Sequence, residues 1–220
     1  LLVAVDDNMW AATKHIHGRL IIDNGRRVRE LSMESWMEGV IKSFTHYKSP
    51  PRERGTKMLK LERKLWMYTP QTDRKILIAG HMLRQSMMGS DLSYEDMMED
   101  EKISEAYVGT IDGEEELNGI KVLVMTLKAK RKTKTYQTLK IWADPKRKIV
   151  LKEECYAKSG KLLKLIEFRK FRPINDRLFP KEMIFRDMLK DNTKTTYVFD
   201  EIEFDVKIPA KYFSQRILKR

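Results

Sequence analysis

Cysteine is nearly missing from this 220-residue chain. Its one cysteine, Cys155, excludes an internal disulfide and a cysteine-based zinc site. Long apolar runs are missing too. None approaches the roughly 18 residues that a membrane-spanning helix needs. Repeats at solenoid or propeller periods and low-complexity linkers are absent, so the chain reads as one domain over residues 1–220. The G-x-S-x-G elbow of many hydrolases is not found. Neither is the spacing of an EF-hand with its central glycine. An initiator Met is lacking as well: the chain opens LLVAVDDNMW, which reads as a processed or truncated end with any export signal already gone.

What is present is a charge-rich globular composition, 41% hydrophobic and 35% charged. Lys and Arg number 44 against 32 Asp and Glu, giving a net charge of +12. Such a balance suits anionic partners such as lipid headgroups, glycans or nucleic acid, or equally a plain solvated surface, and it admits an anionic membrane surface as a partner. The basic run KAKRKTKTYQTLK, residues 128–140, crosses a hairpin with few aromatics beside it. It lacks a single-strand-binding pattern, and no nucleic-acid partner is expected.

The first ten residues suit a short amphipathic helix with Leu2, Val5 and Met9 on one side. From Thr13 onward, period-two alternation between turn signals predicts strands. Asp23-Asn24-Gly25, Glu38-Gly39, Asp112-Gly113, Asn118-Gly119, Asp144-Pro145, Ser159-Gly160 and Asp191-Asn192 are the punctuation. Leu31, Met33 and Met37 share a strand face with Ser35 and Arg29. Leu139, Ile141 and Ala143 oppose Tyr136, Thr138, Lys140 and Trp142. The pattern predicts five or six strands, an irregular insert around 80–102, about six more strands, and an amphipathic tail helix after Pro209. A single antiparallel sheet that large must curl, either closing as a barrel or leaving an open side that the insert and the N-terminal helix would cover.

The insert carries MGSDLSYEDM, residues 88–97, with one Gly, two hydroxyls, a Tyr and three carboxylates. Ser90 or Asp91 could cap a short helix whose first turn is acidic. Asp91, Glu95, Asp96, Glu99, Asp100 and Glu101 form an acidic cluster of the kind that is usually solvated. Ser90, Asp91 and His81 also admit a hydrolase reading, although a Ser beside an Asp is not a triad. His15 and His17 would share a strand face, but a metal would need a third ligand that spacing alone does not supply. The expectation is therefore ordinary strand histidines, with no metal and no cofactor. Thirteen Met is many for this length, and Met suits adaptable apolar surfaces as well as plain core filling.

Three stretches together carry a family resemblance: GRRVRELSMESW, PRERGTKMLKLERKLWMYTP and MLRQSMMGSDLSYEDM. They resemble the LolA-like outer-membrane lipoprotein-sorting family. In particular they resemble the branch with G-S-D-x-S-Y-E-D after a W-x-Y-x-P strand, here Gly89 to Asp96 after Trp66, Tyr68 and Pro70. The resemblance implies a strongly curved, unclosed antiparallel half-barrel of about 11 strands, with helices on its concave side. It implies a periplasmic protein that shelters acyl chains of lipids or lipoproteins, anchored through a lipid-bearing Cys before Leu1. Joined to the reading above, it makes the insert a lid. Met87, Met88, Leu92 and Met97 would meet ligand beside Tyr94. The Ser, Asp and Glu side chains of the segment, Ser90 and Asp91 among them, would cap it and fasten it to basic strand residues. Gly80 and Gly89 would flank it so that it moves as a unit. Leu31, Met33, Met37, Trp66 and Tyr68 are the expected cavity wall, and Arg84 is a candidate for fastening the lid. The alternatives are a lipid hydrolase in the same cavity and a basic surface-docking module.

Overall fold

A computed structural model describes residues 1–99 and 101–219. The fold is mostly β, with thirteen strands in one unclosed antiparallel sheet whose end strands are β6 (Arg74–Ile78) and β7 (Tyr107–Leu117). Thirteen strands exceed the expected eleven because six precede the insert and seven follow it. The chain forms two compact units: residues 1–10 with 101–194, and residues 11–99 with 195–219.

The first unit holds the N-terminal helix α1 (Leu2–Met9), the short α2 (Ile103–Ala106), and the strand run β12 (Arg177–Asp187), β11 (Leu162–Ile174), β10 (Ile149–Tyr156), β9 (Thr138–Asp144), β8 (Ile120–Ala129), β7. The expected helix face is the buried one. Val5 sits in a core with Leu127, Leu139, Ile141, Ala143 and Cys155, and Leu2 and Met9 pack at its edge. The opposite face of β9 places Trp142 in a smaller cluster with Val122 and Val124. The alternation along β9 therefore sorts its side chains onto two faces, each with its own apolar cluster. Asp6, buried in α1, accepts the Ile103 and Ser104 N–H groups at 3.2 and 2.9 Å. It thus caps α2 from another segment, satisfying donors that the helix leaves open. The basic run is partly spent inside this unit. Lys130 donates to the Ser104 and Glu105 carbonyls, and Arg131 and Lys134 pair with Glu101 at 3.1 Å each. Glu101 is therefore engaged by cations, where the sequence suggested solvent. Asp100, also in the acidic cluster, lies outside the described residues.

The second unit is the run β6, β5 (Lys64–Thr69), β4 (Lys57–Leu61), β3 (Lys42–Ser49), β2 (Val28–Glu38), β1 (Thr13–Asp23), β13 (Lys194–Phe204). The β1–β2 hairpin turns where the sequence predicted. Asn24 Oδ1 accepts the Arg26 and Arg27 N–H groups, and Gly25 takes a φ of +79° that a side chain would oppose. Cross-strand register then fixes what shares a face. His15, Trp36, Phe44, Leu59 and Trp66 form one continuous row from β1 to β5. Leu31, Met33 and Ser35, buried on β2, point to the other side.

The row with Trp36 is covered by the C-terminal tail. The tail is two 3-10 turns, Ala210–Phe213 and Gln215–Lys219, and not the expected continuous helix. Tyr212 stacks on Trp36 with ring centroids 4.0 Å apart, and Leu218 is fully buried in the same cluster as Phe44 and Leu59. Lys57 Nζ donates to the Ile217 carbonyl at 3.1 Å, satisfying backbone that a short turn leaves open.

Candidate functional site

The insert lies on the Leu31–Met33 face of the second unit. It contains no α-helix among the described residues up to Glu99. It consists of three 3-10 turns, Gly80–Arg84, Met87–Gly89 and Asp96–Met98. Ser90 and Asp91 do not cap a helix. Ser90 Oγ donates to the Met87 carbonyl at 2.6 Å and accepts the Leu92 N–H at 3.1 Å. Met87 N–H donates to the Leu92 carbonyl at 2.7 Å, so residues 87–92 close into a tight loop with one hydroxyl at its centre. The capping pattern sits three residues later. Ser93 N–H donates to Asp96 Oδ2 at 2.7 Å, and Asp96 N–H donates to Ser93 Oγ at 3.2 Å. Here the side chains of Ser and Asp compete successfully with helical backbone bonding, which short polar side chains do well.

Four fastenings hold this loop to the sheet face. Arg29 on β2 donates to the Met88 carbonyl at 2.7 Å. Thr195, at the start of β13, accepts the Asp91 N–H at 2.9 Å and donates to Asp91 Oδ2 at 2.7 Å. Tyr94 O–H donates to Met67 Sδ of β5 at 3.6 Å. Lys60 Nζ of β4 donates to the Glu99 carbonyl at 2.6 Å and to the Val40 carbonyl at 2.8 Å. Arg29, Met67 and Lys60 lie on the same side of the sheet as Met33 by strand register. Arg29 is the fastening arginine that sequence reading missed. Arg84 is exposed in the first 3-10 turn. The signal was available, since Arg29 alternates in phase with Leu31 and Met33.

Beneath the fastenings the chemistry is apolar and polarizable. Met87, Leu92 and Tyr94 are buried in the insert, while Met88 and Met97 are half-buried. Met33 and Met58 are buried on the sheet. Tyr47 O–H donates to Met58 Sδ at 3.6 Å. Burial pushes the hydroxyls of Tyr47 and Tyr94 up, so both remain neutral donors. Ser35 and Thr45 hydroxyls satisfy each other at 2.9 Å.

The expected cavity wall is not brought together. Leu31, Met33 and the half-buried Met37 share the insert's face. Trp66 and Tyr68 lie on the opposite face and pack with Tyr212, Phe213 and Leu218 of the tail. Alternation within β5 was legible in the sequence, but its phase against β2 depends on three intervening registers. The hydrolase residues also lie apart in role. Ser90, at 1% exposure, spends its hydroxyl on the Met87 carbonyl. Asp91 is engaged by Thr195, and His81 is exposed in the first 3-10 turn. A nucleophile must meet both substrate and base, and the Ser90 hydroxyl bonds describe a turn lock.

A polar group occupies the tail-side face near Trp36. His15 Nε2 and His17 Nε2 lie 3.0 and 3.6 Å from Glu34 Oε1, and Lys48 Nζ is 2.8 Å from Glu34 Oε2. Burial alone would push the Glu34 carboxyl up, but bonds from Lys48 and His15 hold it below the ordinary glutamate range. Sequence reading had the histidine pair but not Glu34. The hairpin gives it away, because carrying the Asp23–Val28 pairing back along the ladder reaches His17–Glu34.

An unclosed, mainly β sheet with a covering insert is the LolA-like fold. The chain belongs to a family described as "uncharacterized protein", whose model matches residues 39–220. No curated protein matches it. Among solved structures it is similar to a DUF1329 family protein from Desulfovibrio piger, with a TM-score of 0.88 at 21% identity over 99% of this chain and 95% of that one. It is similar to a putative outer membrane lipoprotein-sorting protein domain from Vibrio parahaemolyticus, with a TM-score of 0.82 at 23% identity over 95% and 92%. A LolA superfamily protein from Nitrosomonas europaea gives 0.81 at 20% identity over 98% and 96%. At these identities the likeness establishes the fold.

Proposed function

We propose that this chain is a periplasmic lipid- or lipoprotein-binding carrier. The observation that carries the reading is the insert. An irregular cover is pinned by a few polar bonds onto a sheet face that carries Leu31, Met33, Met58 and Met67. Lifting the insert would expose its buried Met87, Leu92 and Tyr94 together with the sheet face, and a bound acyl chain would cover both. Met side chains then conform to a flexible acyl chain better than branched ones. Burying such a chain gains about 0.8 kcal/mol per CH₂, so about 16 carbons gain up to about 12 kcal/mol before ordering costs. The net charge of +12 favours approach to an anionic leaflet.

Titrating the protein into a solvent-sensitive fluorescent fatty acid tests this. The reading expects a saturable blue-shifted signal that phospholipid displaces. A signal that never saturates, or none, would overturn it. Ser90→Ala separates the carrier from a hydrolase. It should cost about 1 kcal/mol through the lost turn bond. Any ester hydrolysis by the purified protein should survive that change, and hydrolysis abolished by it would restore Ser90 as a nucleophile.

A further inference from the structure

We propose that His15, His17 and Glu34 form a binding site for a divalent cation of the zinc type, on the tail-side face of the second unit. The three ligand atoms lie within 4.8 Å of one another. Zinc bonds to His nitrogen or carboxylate oxygen are about 2.0–2.1 Å, which puts tetrahedral ligand atoms about 3.3 Å apart. The observed 3.0 and 3.6 Å separations from Glu34 Oε1 to the two Nε2 atoms bracket that spacing. The third separation, between the two histidine nitrogens, is within 4.8 Å, so the imidazoles would draw together around the ion.

The surroundings prepare the ligands. Glu203 Oε2 lies 3.1 Å from His15 Nδ1, the usual support of a metal-bound imidazole, and an ion at Nε2 would displace the proton that this nitrogen now shares with Glu34 Oε1. Trp36 stacks on the His15 ring at 5.1 Å and 18°, and Tyr212 stacks on Trp36 in turn, which fixes the ring plane. Lys48 holds the other oxygen of Glu34, leaving Oε1 as a monodentate ligand. The titratable groups around the site include Glu34 and Glu203, against them Lys48, and His46, which pairs with Glu34 across β2 and β3. His17 has a side-chain exposure of 47%, which gives the ion a path in and leaves open positions for water or an anionic group. Two imidazoles and one carboxylate select zinc, nickel, cobalt or copper over magnesium and calcium. This site lies on the face opposite the insert, and its test is independent of acyl-chain binding.

The test uses the full chain without a histidine tag, stripped with chelator and titrated with Co²⁺. Absorption in the visible reports Co²⁺ coordination directly, and Zn²⁺ is then measured by displacement. The expected result is a single saturable site. His17→Gln should weaken binding at least tenfold. Glu203→Gln, which alters the carboxylate that bonds His15 Nδ1, should weaken it by about 10–100-fold. Lys48→Met should tighten it by removing a competing cation, a gain that no loss of folding could mimic. His81→Gln, on the exposed turn, should leave the affinity unchanged. No saturable Co²⁺ spectrum, or equal binding by wild type and His17→Gln, would overturn the site.

Discussion

Asp91→Ala should loosen the insert before it unfolds the chain. The substitution removes the acceptor for the buried Thr195 hydroxyl, which is 2.7 Å from Asp91 Oδ2, while the backbone bond from residue 91 to Thr195 can persist. A buried hydroxyl left without its acceptor costs about 1–3 kcal/mol. Both residues are almost fully enclosed, at 3% and 0% exposure, so water cannot readily replace the lost carboxylate. The cost falls on the bond joining the insert to β13, whereas the sheet ladders are untouched. Amide exchange should therefore accelerate in residues 86–96 with little change in β1 or β2, and fatty-acid uptake should change by more than the shift in urea midpoint implies. Proportional loss of uptake and global stability would show that the insert is only a structural cap. Thr195→Val removes the other partner of the same bond and should reproduce the pattern.

The second large effect is at Gly89. Its φ is +75°, and Met88 before it is also left-handed at +53°. A β-branched residue at Gly89 meets strain of about 1–3 kcal/mol from its backbone alone. An added Cβ would also stand 3.0 Å from Arg29 Nη2, the atom that donates to the Met88 carbonyl. Gly89→Val thus strains the turn and crowds one of its fastenings together. Gly89→Ala should show a smaller effect, since it brings the Cβ contact with less conformational conflict. Arg29→Met tests the fastening without the backbone strain. If Arg29→Met and Gly89→Val raise the rate of acyl-probe entry while β2 exchange stays slow, the insert is the moving part. Entry rates equal to wild type in both would remove the insert from the uptake path.

Much of the fold was legible because its signals are local. The Asp23-Asn24-Gly25 turn, the alternation of Leu139, Ile141 and Ala143, and the apolar side of Leu2–Met9 each lie within one short window. They also agree with the packing observed around Val5 and at the first hairpin. What was not legible depends on several strands at once. Trp66 and Leu31 both alternate correctly, yet they face opposite ways because the row Trp36–Phe44–Leu59–Trp66 is fixed by successive registers. The insert misled for a different reason. An Asp or Ser followed by acidic residues favours a helix start, but Ser90 and Ser93 each bind backbone two or three residues away. Those bonds close short turns, and after residue 91 the described part of the insert forms only the 3-10 turn Asp96–Met98. Arg29 and Glu34 needed only the first hairpin carried further along its ladder.

The central claim is that the insert covers a face that holds acyl chains. The most direct measurement is native mass spectrometry of the freshly purified protein, followed by organic extraction and identification of what leaves with it. The account predicts a stoichiometric phospholipid or lipoprotein acyl chain, lost or exchanged faster in Asp91→Ala. A clean apo mass, unchanged after incubation with phospholipid and fatty acid, would contradict it.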